Sequence, residues 1–250
     1  EIKSILSLQK DHQQKLNVDA LSSYLSFRYP ILNDTFFEGI ESLAPAHYIK
    51  LTSSNIEFSE YWNIAHHFQK QKDDKGEDFY ISEIRKLLDS AVEYRMISDV
   101  PVGTFLSGGY DSSLITALLA KNSKKKINTF TIGFENKSFD ESIYAKKIAD
   151  YLGTNHHELV CTADMMKEKL LSYPDMFDEP FSDVSGIPVS ILSKLTKNHV
   201  TVSLSADGGD ELFAGYDKYA IAKNLFKKYS SPPFKFFNCI DPSALKHINF

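Results

Sequence analysis

Ser107-Gly108-Gly109-Tyr110-Asp111-Ser112-Ser113 follows the apolar run Val100 to Leu106 and precedes a helical pattern from Leu114 to Lys121. The heptapeptide therefore sits on a strand–turn–helix junction. Glycines at such a junction let the backbone approach an anion, and the helix N-terminus offers unpaired N–H groups and a positive dipole end. Three serines add hydroxyl donors for phosphate oxygens. A carboxylate, Asp111, would be repelled by phosphates unless a divalent cation lay between them, so its presence predicts a site for Mg²⁺ and pyrophosphate. The plainer alternative is a Gly/Ser turn capping a helix, with Ser or Asp as the N-cap. An isolated Ser-Gly-Gly would favour that alternative, whereas the whole string favours phosphate.

Strands and helices alternate around this junction. Ile81, Ile84, Leu87, Leu88, Ala91 and Val92 recur at three- and four-residue steps, the mark of an amphipathic helix. Beyond the junction helix, a second strand is expected from Ile127 to Phe134, a helix over about 140–152, and a third strand from His157 to Val160. Helical segments follow over roughly 163–176 and 187–197, then a fourth strand from Val200 to Leu204. This order predicts an α/β fold with a doubly wound parallel sheet, whose ligands bind beyond the carboxyl ends of the strands. The fourth strand runs into a second turn, Ser205-Ala206-Asp207-Gly208-Gly209-Asp210-Glu211, which should converge with the first. Asp111 and Asp210 would then share a Mg²⁺ bound to a triphosphate. Alternatively, Asp210 and Glu211 merely suit the first turn of a helix.

Three further patches bear on chemistry. Pro180 and Pro188 bracket a non-helical loop in which Asp178, Glu179 and Asp183 are candidate contacts for a substrate amine or a metal, or else a solvated acidic loop. His156-His157-Glu158 invites a metal reading, but adjacent strand residues face opposite sides, which argues against zinc. The missing side chain of Gly133 would leave space for a nucleotide beside Ile132.

Ahead of the alternating pattern, Leu16 to Tyr29 has helical spacing, Asn33-Asp34-Thr35 is turn-like, Phe36 to Ile40 leans towards strand, and short alternating strands end near Tyr61-Trp62. These pieces read as one edge of a domain that starts before this chain. His66 to Asp78, with no apolar residue from Gln69 to Glu77, reads as a solvated linker. Across 250 residues the net charge is −5 with no long basic block, which counts against a nucleic-acid partner. No stretch approaches the ~20 apolar residues of a membrane span. The chain begins Glu1-Ile2-Lys3 without a signal-peptide pattern, and Cys161 and Cys239 have no metal-ligand spacing. A reducing, cytoplasmic setting is expected.

The motifs together resemble the asparagine synthetase family, within the PP-loop ATP pyrophosphatases. Ser107–Ser113 is similar to the superfamily's pyrophosphate loop. Asp207-Gly208-Gly209-Asp210-Glu211-Leu212-Phe213, with Gly215-Tyr216, resembles the family more specifically. Ser98–Gly103, Thr129–Phe134 and Asp178-Glu179-Pro180 match as well. Glu1-Ile2-Lys3 and Thr35 to Pro45, with Tyr61-Trp62, resemble the end of the glutaminase domain that precedes the synthetase domain. The resemblance implies a PP-loop, adenine nucleotide α-hydrolase-like fold, preceded by a partial β-rich glutaminase remnant at 1–64, a linker at 65–78 and a synthetase domain at 79–250. It implies that ATP binds through Leu106, Ser107, Gly108, Gly109, Asp111, Ser112, Ile132, Gly133, Ser205 and Ala206. Asp111 and Asp210 would hold Mg²⁺, and Asp207 would serve adenylate formation.

The implied reaction turns aspartate into asparagine through an acyl-adenylate, with ammonia from glutamine and release of AMP and pyrophosphate. The full-length enzyme is expected to be a homodimer. Tyr110 departs from the usual aliphatic residue, and Ala206 from the usual Gly. The family's N-terminal Cys nucleophile and a catalytic Lys are absent, so the chain reads as a fragment that binds ATP weakly and does not complete the reaction. A relative activating another carboxylate, such as a sugar acid or β-amino acid, fits the same motifs. A tRNA-thiolating enzyme would bring paired cysteines and a basic face, and neither is present. A non-catalytic member would be free to lose Asp111 and Asp210.

Overall fold

A computed structural model describes residues 1–8, 14–68 and 73–229. Its centre is a four-stranded, wholly parallel sheet built from β3 (Val102–Phe105), β4 (Asn128–Phe134), β5 (Asn155–Cys161) and β6 (Val202–Leu204), in the order β5-β4-β3-β6. The chain steps outward from β3 to β4 to β5, then returns to lay β6 on the free side of β3. Right-handed crossovers place helices on one face during the outward steps and on the other during the return. Accordingly α5 (Tyr110–Asn122) and α6 (Ser142–Leu152) cover one face, while α8 (Gly186–Thr196), with α7 (Ala163–Leu171) beside it, covers the other. The expected doubly wound sheet is present.

The two faces are packed differently. Phe105, Phe130 and Ile132 meet Leu192 and Leu195 of α8 and Val200 in one apolar cluster. Towards α5 and α6, β3 and β4 present Thr104, Thr129 and Thr131, all buried. A buried hydroxyl must find a partner. Thr129 Oγ1 lies 2.9 Å from Thr154 Oγ1 and 3.0 Å from His156 Nδ1, and Thr131 Oγ1 donates to the Leu106 carbonyl. Apolar packing on this side comes from α4 (Glu77–Met96), whose Val92 joins Leu118 and Leu119 of α5, and from Ala145 and Ala149 of α6 around Leu106.

Before the sheet lie α1 (Ile2–Leu8), α2 (Val18–Phe27) and an antiparallel hairpin of β1 (His47–Leu51) and β2 (Ile56–Glu60). Asn17 caps α2 by accepting from the Asp19 and Ala20 amides. The expected strand at Phe36–Ile40 is absent. Only isolated bridges, Leu16 with Phe37 and Asp34 with Glu41, flank a turn closed by Thr35 Oγ1 donating to the Ile40 carbonyl at 2.6 Å. Thr35 binds locally, and that competes with ladder pairing. The stretch read as a linker is helical at both ends. A short helix α3 (Ala65–Phe68) takes up His66 and His67, and α4 already starts at Glu77. Residues 69–72 and Cys239 lie outside the described residues. The helical reading of 163–176 resolves into α7 and a single 3₁₀ turn at Tyr173–Asp175, where Pro174 stands at the start of a new turn.

The Thr131–Leu106 bond ties β4 to the residue that opens the Gly-rich turn. Thr131→Val should cost about 1–3 kcal/mol by stranding that carbonyl. Urea denaturation measures it, and an unshifted midpoint would show that the bond carries no stability.

Candidate functional site

The sheet reverses direction between β3 and β6, and a crevice opens where the connections leave opposite faces. Both Gly-rich turns leave the carboxyl ends of these two strands. In the first, the helix begins at Tyr110 rather than Leu114, so Asp111, Ser112 and Ser113 belong to its opening turn. Gly108 has φ 90°, and a Cβ there would stand 2.8 Å from the Ala145 nitrogen and the Tyr144 Cβ, so the turn can lie on α6 only with glycine. Ser107 and Ser112 face each other across the turn with their hydroxyls 2.9 Å apart. The Ser107 amide donates to Ser112 Oγ at 3.2 Å and the Gly109 amide to Ser107 Oγ at 3.3 Å. No side chain caps α5. These donors are satisfied within the turn, the two amides through bonds of 3.2 and 3.3 Å.

The second turn comes up against the first. A side chain at Gly209 would collide with the Asp111 carboxylate, and one at Gly215 would collide with the carboxylate of Asp210. Each glycine thus leaves room that an acid occupies. Asp207 Oδ2 accepts from Ser205 Oγ at 2.5 Å, and Gly208, at φ 92°, starts α9 (Gly209–Phe213). Asp111 lines a groove of about 480 Å³ with Ser205, Ala206, Asp207, Gly208 and Gly209. The same groove holds Arg95 from the end of α4, a cation that the sequence reading passed over because it sits on an ordinary helix.

The other expected nucleotide residues divide. Ser107, Leu106 and Ile132 line a pocket of about 160 Å³ on the α8 side of the turn. Leu106 is 1% exposed and packs on Ala145 and Ala149. Gly133 differs from expectation. It lies within β4 and faces away from Ile132, and a Cβ there would meet Asp140 Oδ1 and Ser142 Oγ at 3.1 Å. Its small size serves the packing of the β4–α6 connection. Tyr110 is 97% exposed and touches nothing in the turn.

The three acids of the Pro-bracketed loop are engaged elsewhere. Asp178 Oδ2 accepts from the Ile2 amide at 2.5 Å, and Oδ1 stands 3.2 Å from Lys3 Nζ, an ion pair without hydrogen-bond alignment. Burial alone would raise the Asp178 carboxyl, but Lys3 and the Ile2 and Lys3 amides outweigh it and hold it below its ordinary range. Glu179 Oε1 accepts from the Phe36 amide at 2.6 Å, and Asp183 Oδ1 accepts from the Ser185 amide at 2.8 Å. Asp178, Glu179 and Asp183, the three acids expected to meet a substrate amine or a metal, thus each have a backbone amide as partner and also line one pocket. His156 and His157 diverge as β-geometry requires, His156 towards Thr129 and His157 stacked 5.1 Å from Phe130 and 3.9 Å from His199. Among the described residues no three His, Cys, Asp or Glu gather into a metal-holding group.

The protein is of the α/β class, with two Gly-rich turns at the switch point of a parallel sheet, where such folds bind their ligands. Residues 83–246 match the asparagine synthase family, and the chain belongs to it. It is 38% identical over 227 residues to a protein named putative asparagine synthetase [glutamine-hydrolyzing] 2 from Methanocaldococcus jannaschii, covering 86% of this chain and 42% of that one. It is 34% identical over 220 residues to asparagine synthetase [glutamine-hydrolyzing] 1 from Bacillus subtilis, covering 88% and 34%. The chain thus spans well under half the length of these relatives. Among solved structures, an NH3-dependent NAD synthetase from Campylobacter jejuni is similar at a TM-score of 0.36 and 14% identity, over 66% of this chain and 90% of that one.

One pair in the second motif was invisible in the sequence. The Tyr216 hydroxyl donates to Glu211 Oε1 at 2.9 Å, tying the start of α10 (Asp217–Tyr229) back to α9. That bond holds the Glu211 carboxyl below its ordinary range and pushes the Tyr216 phenol up to about 12. The depressed Glu211 contributes stability above its unfolded value, which is lost as pH falls through the folded one. The raised Tyr216 contributes fully below the free phenol value of about 10, and this is lost as pH climbs through the raised one. NMR titration of the Tyr216 ring should find a midpoint near 12, dropping towards about 10 in Glu211→Gln. A midpoint near 10 in the unaltered protein would rule the link out.

Proposed function

We propose that this chain carries the ATP-dependent half of an asparagine synthetase. The observation that carries the reading is the close approach of Gly209 to Asp111, which draws both Gly-rich turns to one place at the switch point. Family membership supports it. ATP would lie with its phosphates at Ser107, Gly108, Gly109 and Ser112, and with Leu106, Ile132, Ser205 and Ala206 along its nucleoside. Asp111 and Asp210, an acid beside each turn, suit a hard cation only if phosphate oxygens complete its shell, because the protein alone does not build a cage. Mg²⁺ so bound would neutralise charge on the departing pyrophosphate.

In this reading a carboxylate oxygen of aspartate attacks the α-phosphorus, the bond to the β-phosphate breaks, and pyrophosphate leaves. Ammonia derived from glutamine then attacks the acyl carbon and AMP departs. The protein supplies position and fixed donors, with little covalent chemistry of its own. Asp207, held by Ser205, would act at adenylate formation. The section 1–64 is read as the end of a glutaminase domain, 65–78 as the connection and 79–250 as the synthetase domain. Small molecules, with neither nucleic acid nor membrane, are the proposed partners of a cytoplasmic protein.

Pyrophosphate–ATP exchange in the full-length parent protein tests this directly. Aspartate should stimulate exchange, and a response to some other acid alone would replace the substrate while keeping the chemistry. No exchange with any acid would sink the reading. Asp111→Asn should weaken Mg·ATP binding about tenfold or more without lowering the thermal midpoint, since it removes charge from a partly open turn. Unchanged affinity, measured calorimetrically, would remove Asp111 from the metal. Tyr110→Leu should leave ATP affinity within about twofold, as expected for a residue that touches nothing.

A further inference from the structure

The loop acids Asp178 and Glu179 join distant parts of the fold. Five contacts fasten the segment 175–182 to the N-terminal section. Asp178 takes the Ile2 amide at 2.5 Å and Lys3 at 3.2 Å, and Glu179 takes the Phe36 amide at 2.6 Å. The Asp175 carbonyl accepts from Lys3 Nζ at 3.1 Å, and Ser182 Oγ donates to the Arg28 carbonyl at 2.9 Å. The segment between these anchors is stiffened by its own rings. Tyr173 packs 4.9 Å from Phe177, and Phe177 stacks 4.4 Å from Phe181. The Tyr173 hydroxyl then donates to the Asp183 carbonyl at 3.0 Å, and the Asp183 carboxylate turns the chain at Ser185.

The residues immediately beyond, Val184, Ser185, Pro188 and Val189, form one wall of a cavity of about 720 Å³ at the carboxyl ends of β4 and β5. Cys161, at the end of β5, lies in the same cavity. A stiff segment anchored at one end to the N-terminal section and forming a pocket wall at the other transmits displacement between them. Phe177 is held between Tyr173 and Phe181, and a ring packed on two sides resists displacement.

We infer that residues 173–185 act as a strap through which the seating of the N-terminal section sets the shape of this cavity, with Asp178 and Glu179 as its positioning residues. Whatever alters how that section sits would reach the cavity through the strap, without contact between the two. The coupling concerns shape alone and stands whether or not the cavity serves asparagine synthesis.

Cys161 is a built-in reporter. Its thiol is 2% exposed, and burial pushes its pKa up, so alkylation by iodoacetamide should be slow in the unaltered chain. The experiment uses the full chain and reads the Cys161 peptide by mass spectrometry, which separates it from Cys239. Amide exchange is followed at Ile2 and Phe36 for seating and at Thr131 for global integrity. Asp178→Asn with Glu179→Gln should speed exchange at both N-terminal amides and alkylate Cys161 about tenfold faster, with Thr131 still protected. Phe177→Ala should speed alkylation while leaving the Ile2 and Phe36 amides protected, because it removes the middle ring of the strap and leaves the Asp178 and Glu179 carboxylates in place. If the double variant loses Thr131 protection, Ser182→Ala, which deletes only the bond to the Arg28 carbonyl, is read by the Cys161 rate alone, and an unchanged rate overturns the coupling. Faster N-terminal exchange with an unchanged Cys161 rate would overturn the coupling. Neither readout uses ATP or a carboxylate, so its failure is distinct from failure of the ligase reading.

Discussion

Everything near the site depends on the reversal of the sheet at β3. A strand with parallel neighbours on both sides, one reached outward and the other on return, must release its chain into the space where two crossovers diverge. Two turns then compete for that space, and they fit only because Gly209 has no side chain where the Asp111 carboxylate stands. The same economy recurs at Gly215 and Asp210. The second motif is therefore best understood as a packing solution that keeps charged groups close to glycine backbone, before any ligand is considered. The charges stay accessible because nothing larger than hydrogen intervenes.

The sheet and its helices were legible in the sequence because their periodicities are strong. The runs at Val100–Leu106 and Ile127–Phe134 and the stripe in α4 each carry one signal over enough residues to dominate. What escaped was set by long-range contact. Phe36–Ile40 has strand-forming residues, yet Thr35 spends its hydroxyl on the Ile40 carbonyl and the stretch becomes a turn. Gly133 was read as leaving space for a nucleotide beside Ile132, whereas alternation turns it towards Asp140 and Ser142.

The acidic loop shows what a sequence withholds. Asp178 and Glu179 sit in a motif that reads as chemistry, and their partners lie 176 and 143 residues away in sequence. Nothing local could have announced a carboxylate aimed at the backbone amides of Ile2 and Phe36. Backbone N–H groups are good partners for a carboxylate. The candidate site was thus readable where its residues lie in one turn, and the contacts of an acid that reaches across the fold were not.

The β1–β2 hairpin has a consequence of its own. Among the described residues, Ile49, Leu51, Ile56 and Phe58 are all exposed on a ribbon of only two strands. Taken as the end of a larger domain, such a ribbon is where the remainder of that domain would add strands or pack. Charged substitutions on those four side chains would then weaken that packing while leaving the parallel sheet untouched.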